Sequence, residues 1–172
     1  YPSSWYAASA DPLPAQPALQ GDIDADVCIL GAGYVGLSTA LELADAGYRV
    51  VVLEAERIGW GASGRNGGQV LPGYGCGETK LAALVGRDDA RKLFDWSCEG
   101  MRLIHQRRTR YGIDCDWRAG HAIVAIKPRQ IVELQSWQRE LEQDYGYPMT
   151  WWNRSRWPKS SRRLPTRKRR AW

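Results

Sequence analysis

Three glycines spaced between an apolar run and a helical pattern restrict the fold of this chain more than any other feature. The motif, residues 31–36, follows Val27-Cys28-Ile29-Leu30, an all-apolar run that predicts a central, buried parallel strand. Residues 37–46 predict a helix, after which Gly47 suits the C-terminal end, and residues 49–54 predict a second buried strand. This order within about thirty residues predicts a βαβ unit with parallel strands.

The glycine spacing is typical of a phosphate-binding turn. Gly31 permits a tight turn, Gly33 lets the backbone approach a pyrophosphate, and Gly36 lets the helix pack closely on the strand. The N-terminus of the helix then presents free N–H groups to the phosphates. Glu54 lies 23 residues after Gly31, where a carboxylate accepts hydrogen bonds from ribose hydroxyls and repels a 2′-phosphate. This combination predicts a site for NAD or FAD and argues against NADP.

A long glycine-rich loop follows the second strand. Residues 59–77 contain eight glycines, and a loop of this length is usually functional or disordered. Its small residues allow the backbone to lie against a flat ligand, while Ser63, Arg65 and Asn66 offer donors for phosphate oxygens or flavin edges. The alternative interpretation is a mobile surface loop.

The sequence resembles the FAD-dependent amine and amino-acid oxidases of the D-amino-acid oxidase and sarcosine oxidase type. The resemblance covers roughly residues 4–150, and its matching stretches are 4–10, 26–36, 51–55, 61–69 and 111–116. Within that family the chain is similar to members that oxidise gamma-glutamylputrescine. The resemblance implies an α/β fold, with a Rossmann-like FAD-binding βαβ domain and the start of an α+β substrate domain, which is incomplete.

The resemblance also implies a reaction and a set of cofactor-binding residues. Such enzymes pass a hydride from the amine-bearing carbon to flavin N5, and hydrolysis of the imine gives an aldehyde and ammonia. Oxygen then reoxidises the flavin and yields hydrogen peroxide. The implied partners are an amine such as gamma-glutamylputrescine, from putrescine breakdown, and oxygen. The residues expected to bind FAD are Gly31, Ala32, Gly33, Tyr34, Val35, Gly36, Glu54, Ala55, Arg57, Ala62, Ser63, Arg65, Asn66, Gly67, Gly68 and Gln69.

Four segments are expected along the chain. Residues 1–24 hold four prolines and predict an N-terminal arm, and residues 25–77 form the cofactor-binding unit. Residues 78–152 form a helical and partial sheet segment, and residues 153–172 a basic tail unlike the family. Members of the resembled family are much longer, so we expect a truncated, inactive N-terminal piece. No catalytic residue is assigned, because those residues are expected in the missing part.

The segment from residue 78 to residue 152 predicts both helices and strands. Two helices broken near Gly86 are expected up to residue 111, with Asp88 and Asp89 at the start of the second, where the helix dipole favours negative charge. Residues 122–126 predict a strand, and Pro128 opens a further helix at its first position. Residues 148–152 predict the start of another strand.

The net charge of +5 comes entirely from the tail. Residues 153–172 hold nine Lys or Arg and no acid, which leaves 15 basic against 19 acidic residues in the remainder. Basic residues with interleaved tryptophans suit single-stranded nucleic acid, but a charge run is usually solvated, and no nucleic-acid partner is expected. Back-translation with GC-rich codons, read one base earlier, gives a family-like sequence, so the tail is interpreted as a frameshift product.

Several classes of protein are not supported. No apolar run is long enough to span a membrane, and the first residues do not resemble a secretory signal. Four irregularly spaced cysteines predict free thiols in a reducing cytoplasm, with Cys28 buried in its strand. His105 and His121 are too few for a metal site, and no Gly-x-Ser-x-Gly motif indicates a hydrolase. Four tryptophans are expected in the core: Trp60, Trp96, Trp117 and Trp137.

Two other functions remain open from the residues. An NAD-linked dehydrogenase shares the same βαβ unit. The second is a non-catalytic nucleotide-binding fragment with a basic tail.

Overall fold

The computed structural model describes residues 4–10 and 13–153, which fall into two compact units divided between Gln69 and Val70. The first unit contains α1 (Trp5–Ser9), β1 (Val27–Leu30), α2 (Tyr34–Asp45), β2 (Val50–Leu53) and a short 3-10 turn at Ala62–Gly64. The second unit contains α3 (Glu78–Val85), α4 (Arg87–Arg110) and α5 (Pro128–Asp144). Residues 70–77 therefore group with the second unit and not with the cofactor-binding segment to which the sequence assigned them. The basic tail lies outside the described residues, apart from Asn153.

The first unit contains the βαβ arrangement that the sequence predicts. β1 and β2 pair in parallel, with Val27 opposite Val50, and α2 connects them. α2 begins at Tyr34, three residues earlier than predicted, because Gly33 is the extended residue that precedes the helix. Gly36 consequently lies inside the first turn of α2.

The end of α2 confirms the predicted role of Gly47. This glycine has a φ of +90°, a conformation that residues with a side chain rarely adopt. Its N–H donates to the carbonyl of Ala44, and the N–H of Tyr48 donates to the carbonyl of Leu43, both at 3.0 Å. These two bonds form a Schellman motif, which ends the helix and directs the chain into β2.

One face of the sheet is exposed, so the prediction that Cys28 is buried is wrong. Successive side chains of a strand point to opposite faces. Val27 and Ile29 are half-buried, whereas Cys28 is exposed and Leu30 is 81% exposed. An all-apolar strand reflects burial on both faces, but in the described residues α2 covers the face that carries Ile29.

The helical pattern of the second unit is confirmed. Gly86, with a φ of +86°, separates α3 from α4, and Asp88 and Asp89 lie in the first turn of α4. Pro128 is the first residue of α5. Within the part of the chain that the structure describes, no helix is both long and apolar enough to cross a bilayer.

The two strands predicted in the second unit are not formed. Residues 122–126 and 148–152 have no strand structure, and Ile126 is 86% exposed. A strand requires a neighbouring strand to pair with its N–H and C=O groups. The sheet of the described residues has two strands, β1 and β2, and both lie in the first unit. An apolar run thus indicates that a segment can form a strand, but among the described residues of the second unit these two segments have no strand to pair with.

The core of the second unit is small and aromatic. Phe94 and Leu141 are each 2% exposed and Tyr145 is 8% exposed. The ring centroids of Phe94 and Tyr145 are 4.8 Å apart, a separation typical of a favourable aromatic pair. This cluster packs α4 against α5 and the chain that follows it.

The four tryptophans differ in burial. Trp137 packs against the core of the second unit, as predicted, and Trp60 and Trp117 are half-buried. Trp96 is 65% exposed, so its predicted burial is wrong. It follows the buried Phe94 by two residues on α4, and two residues rotate a side chain by about 200° around a helix.

A buried acidic side chain connects α3 to α5 through a hydrogen bond. Glu78, the first residue of α3, is 8% exposed, and it accepts a hydrogen bond from the indole N–H of Trp137 at 2.9 Å. Its place at the start of a helix favours negative charge. Beside it, the hydroxyl of Thr79 donates to Glu140 at 2.9 Å.

We predict that Glu78→Leu lowers the free energy of unfolding of the second unit by about 1–3 kcal/mol, because it leaves the indole N–H of Trp137 without an acceptor. Glu78→Gln keeps an acceptor oxygen and should lose much less. Urea unfolding followed by circular dichroism measures both. Glu133→Leu on the exposed surface of α5 is the matched control, and an equal loss in the control would contradict the prediction.

Gly36 lies where α2 and β1 approach most closely. A Cβ placed on this residue would collide with the carbonyl oxygen of Gly31 and would lie 3.3 Å from Cγ2 of Ile29. The structure thus confirms that the third glycine of the motif permits close packing of helix on strand.

Gly36→Ala should therefore destabilise the first unit by about 1–3 kcal/mol, since the methyl group must displace backbone rather than a flexible side chain. Gly61→Ala is the control, because a Cβ at Gly61 meets nothing within 4 Å. Thermal unfolding of both variants tests this. A similar melting temperature for the two would show that α2 tolerates the extra methyl group.

Candidate nucleotide-binding site

Glu54 joins the glycine-rich turn to the end of β2. One carboxylate oxygen accepts the N–H of Ala32 at 2.7 Å, and the other accepts the N–H of Glu56 at 3.0 Å. These bonds, that from Ala32 most, hold the pKa of Glu54 below its ordinary value of 4.5. The carboxylate is therefore ionised at neutral pH. Each carboxylate oxygen has two lone pairs, so both oxygens retain capacity for another donor.

The turn after β1 has the conformation that its first glycine predicts. Gly31 has a φ of +99°, and its N–H donates to the carbonyl of Leu53 at 2.7 Å. Ala32 is 2% exposed, and Gly33 caps α2 without a side chain. The N-terminus of α2 therefore directly follows the residue that Glu54 holds. Such a terminus carries the N–H groups and the partial positive charge that bind phosphates.

The glycine-rich loop folds back onto this turn. The N–H of Gly59 donates to the carbonyl of Ala32 at 2.9 Å, and the hydroxyl of Ser63 accepts the N–H of Tyr34 at 2.9 Å. A Cβ on Gly33 would lie 3.0 Å from Oγ of Ser63. The missing side chain of Gly33 thus makes room for Ser63, at the position where the sequence predicts room for a pyrophosphate.

Asn66 fixes the shape of the loop around Ser63. Its side-chain amide nitrogen lies 2.9 Å from the hydroxyl of Tyr34, 3.1 Å from the carbonyl of Ala62 and 3.0 Å from the carbonyl of Ser63. Its amide oxygen accepts the N–H of Gly68 at 2.9 Å. The sequence predicts Asn66 as a cofactor ligand, and the structure shows it bonded to the chain on both sides of the loop.

Arg65 packs on the loop as well. Its Nε donates to the carbonyl of Trp60 at 2.8 Å, and its guanidinium carbon lies 5.2 Å from the centre of the Trp60 ring. This distance is within the range of a cation–π contact. The charge of Arg65 is thereby held close to the loop backbone.

The remaining predicted ligands lie around these contacts. Val35 is 81% exposed in the first turn of α2. The other predicted ligands of this group are exposed in the segments after β2 and after the 3-10 turn: Ala55, Arg57, Gly67, Gly68 and Gln69. All of the predicted ligands belong to the first unit.

Sequence reasoning missed one contributor to the site, Gly59, and one ion pair at the opposite end of the two strands. The N–H of Gly59 attaches the loop to the carbonyl of Ala32. Gly59 has a φ of +71°, but in the sequence it is only one of many loop glycines. Asp26 and Arg49 align the starts of the two strands through an ion pair of 2.9 Å. The Arg49 guanidinium holds the pKa of Asp26 below its ordinary value of 3.8. The pair is exposed, so its contribution to stability is small.

Residues 26–169 match the family model of the FAD dependent oxidoreductases (DAO). The chain belongs to the FAD-dependent oxidoreductase family. FAD is accordingly the cofactor of its family, which favours the flavin interpretation of the turn over the NAD-linked one. The match begins just before β1 and continues past residue 150, where the resemblance of the motifs was expected to end.

Curated relatives agree with this assignment. A gamma-glutamylputrescine oxidoreductase from Escherichia coli is 47% identical over 144 residues, which are 84% of this chain and 34% of the relative. Probable oxidoreductases named OrdL are 43% identical in Haemophilus influenzae, over 77% of this chain and 31% of the relative, and 34% identical in Rhizobium meliloti, over 84% and 34%. This chain thus spans about a third of the length of these relatives. No solved structure is significantly similar to it.

The lowered pKa of Glu54 predicts a pH dependence of stability. A carboxyl whose pKa is lower in the folded state stabilises the fold above its unfolded pKa, and this contribution is lost as the pH falls through the folded value. Between about pH 6 and about pH 3, the unmodified chain should therefore lose more stability than Glu54→Gln. Urea unfolding across this range measures the difference. Glu56→Gln is the control, and a loss in Glu54→Gln equal to that of the unmodified chain would refute the assignment.

Proposed function

We propose that the first unit holds the ADP half of FAD in an amine oxidoreductase. The observation that carries the proposal is the hydrogen bond from the N–H of Ala32 to the carboxylate of Glu54, immediately before the Gly33 cap of α2. A ribose presents hydroxyl donors to such a carboxylate, and a diphosphate accepts N–H groups from such a helix end.

The chemistry of the residues fits the parts of the cofactor. The ribose hydroxyls would bond to Glu54, and the phosphates would take the N–H groups of Tyr34 and Val35. Ala55 and Arg57, which follow Glu54, would face the adenine side. The residues from 62 to 69 would contact the remainder of FAD, with Ser63, Arg65 and Asn66 as the polar donors.

The proposed substrate is an amine of the gamma-glutamylputrescine type. The name of the E. coli relative, 47% identical to this chain, supports it. FAD, when bound, supplies the acceptor for a hydride from the amine-bearing carbon. The proposed products are an aldehyde, ammonia and hydrogen peroxide, with oxygen as the second substrate, in putrescine breakdown.

The chain is proposed to contribute cofactor binding without turnover. It spans about a third of its relatives, and the second unit would form the start of a substrate domain that the remaining length completes. The proposed location is the cytoplasm, which the four free cysteines support. No nucleic acid or membrane takes part in the proposal.

We predict that the 172-residue chain binds FAD and that Glu54→Ala weakens this binding roughly tenfold or more, because the ribose hydroxyls lose a charged acceptor. Flavin fluorescence titration measures the affinity, and Glu56→Ala is the matched control. Competition with NAD and NADP tests the choice of nucleotide. Displacement of FAD by NAD at equal concentration, or an unchanged affinity in Glu54→Ala, would contradict the assignment.

A chimera tests the substrate. Residues 1–150 of this chain, joined to the remaining two thirds of the E. coli relative, should release hydrogen peroxide from gamma-glutamylputrescine, while the 172-residue chain should release none. The same chimera with Glu54→Ala is the control for dependence on FAD. Peroxide from the 172-residue chain would refute its inactivity, and a chimera that binds FAD but leaves this amine unoxidised would refute the substrate.

A further inference from the structure

Tyr34 holds the glycine-rich loop through two separate groups. Its backbone N–H donates to the hydroxyl of Ser63 at 2.9 Å, and its phenol oxygen accepts the side-chain amide of Asn66 at 2.9 Å. The side chain is 65% exposed, so burial contributes little to its position. One contact is to Ser63 in the middle of the 3-10 turn, and the other is to Asn66, two residues after the turn ends.

The two contacts differ in how they respond to an anion. The N–H of Tyr34 belongs to the first turn of α2, whose unpaired N–H groups are the donors that phosphate oxygens accept. The hydroxyl of Ser63 now fills that acceptor position. A phosphate would therefore compete with Ser63 for this N–H, whereas the phenol oxygen of Tyr34 lies outside that competition.

Asn66 links the phenol of Tyr34 to the backbone of Ser63. The amide nitrogen that donates to Tyr34 also lies within hydrogen-bond distance of the carbonyls of Ala62 and Ser63. The amide oxygen of Asn66 accepts the N–H of Gly68. A side chain bound at both ends in this way restricts the turn before it and the glycines after it.

We propose that Tyr34 is a positioning residue that keeps the loop in place while its N–H changes partner from Ser63 to a phosphate oxygen of the cofactor. This inference rests on the function proposed above. The bond that Ser63 accepts does not use its O–H, so the hydroxyl can donate to the same phosphate group. The phenol contact holds the loop within reach during this exchange, so the loop need not reorder after the cofactor arrives.

The first test uses the full chain without cofactor. Tyr34→Phe removes the phenol oxygen and keeps the ring and the backbone N–H. We expect amide hydrogen exchange in residues 60–68 to become roughly fivefold faster, as for loss of one ordinary hydrogen bond. Tyr48→Phe is the control, since Tyr48 is an exposed tyrosine of the same unit. Unchanged exchange in Tyr34→Phe would overturn the proposal whether or not FAD binds.

The second test measures how the variant releases FAD. Dissociation of FAD from Tyr34→Phe should be roughly fivefold faster. The melting temperature of Tyr34→Phe should equal that of Tyr48→Phe, because a merely structural loss would lower it. In a double-mutant cycle, Tyr34→Phe should have no further effect once Asn66 is alanine. An additive effect, or unchanged release from Tyr34→Phe, would overturn the proposal alone. Failure of the unmodified chain to bind FAD would overturn the proposed function and this role together.

Discussion

A carboxylate at the end of β2 accepts the N–H of the buried Ala32, and the parts of the site meet at that bond. The same alanine offers its carbonyl to Gly59 of the loop and precedes the cap of α2. Both polar groups of one backbone unit are thus used to attach β2 and the loop to the turn after β1. Because buried backbone groups require partners, displacement of either partner would leave a polar group of Ala32 unsatisfied. The arrangement of the turn, the helix end and the loop therefore depends on Glu54.

The site combines fixed groups with groups that a ligand could take over. The bond from Ala32 holds Glu54 in place and lowers its pKa, yet its oxygens can accept further donors. Ser63 accepts an N–H at the helix end, where a phosphate oxygen is also a suitable acceptor. A turn that is ordered without its cofactor reduces the entropy that must be lost on binding, and the glycines at 31 and 33 make this order sterically possible.

The predictions from sequence succeeded where the signal is local. Gly47 and Gly86 have positive φ angles at helix ends, and Pro128 opens α5, because backbone conformation at these positions depends on the residue itself. The predictions failed where burial or pairing depends on distant chain. Cys28 lies in an apolar run but on the open face of the sheet, and residues 122–126 have the composition of a strand without a neighbour to pair with. The contacts of Asn66 with Tyr34 also escaped prediction, since 32 residues separate them.

The sequence by itself predicted the glycine-rich turn after β1 and the acid at the end of the second strand, and its resemblance to flavin-dependent oxidases indicated the family. The turn and the acid follow from residue types at fixed spacing, because glycine permits the turn and the close approach of α2, and a carboxylate accepts ribose hydroxyls while it repels a 2′-phosphate. The tertiary structure decided how these parts are held together. It brought the loop back onto Ala32, placed Ser63 against Gly33 and gave Tyr34 its two contacts. Hydrogen bonds between segments that are distant in sequence depend on the path of the chain between them, and that path is set by the packing of the whole unit.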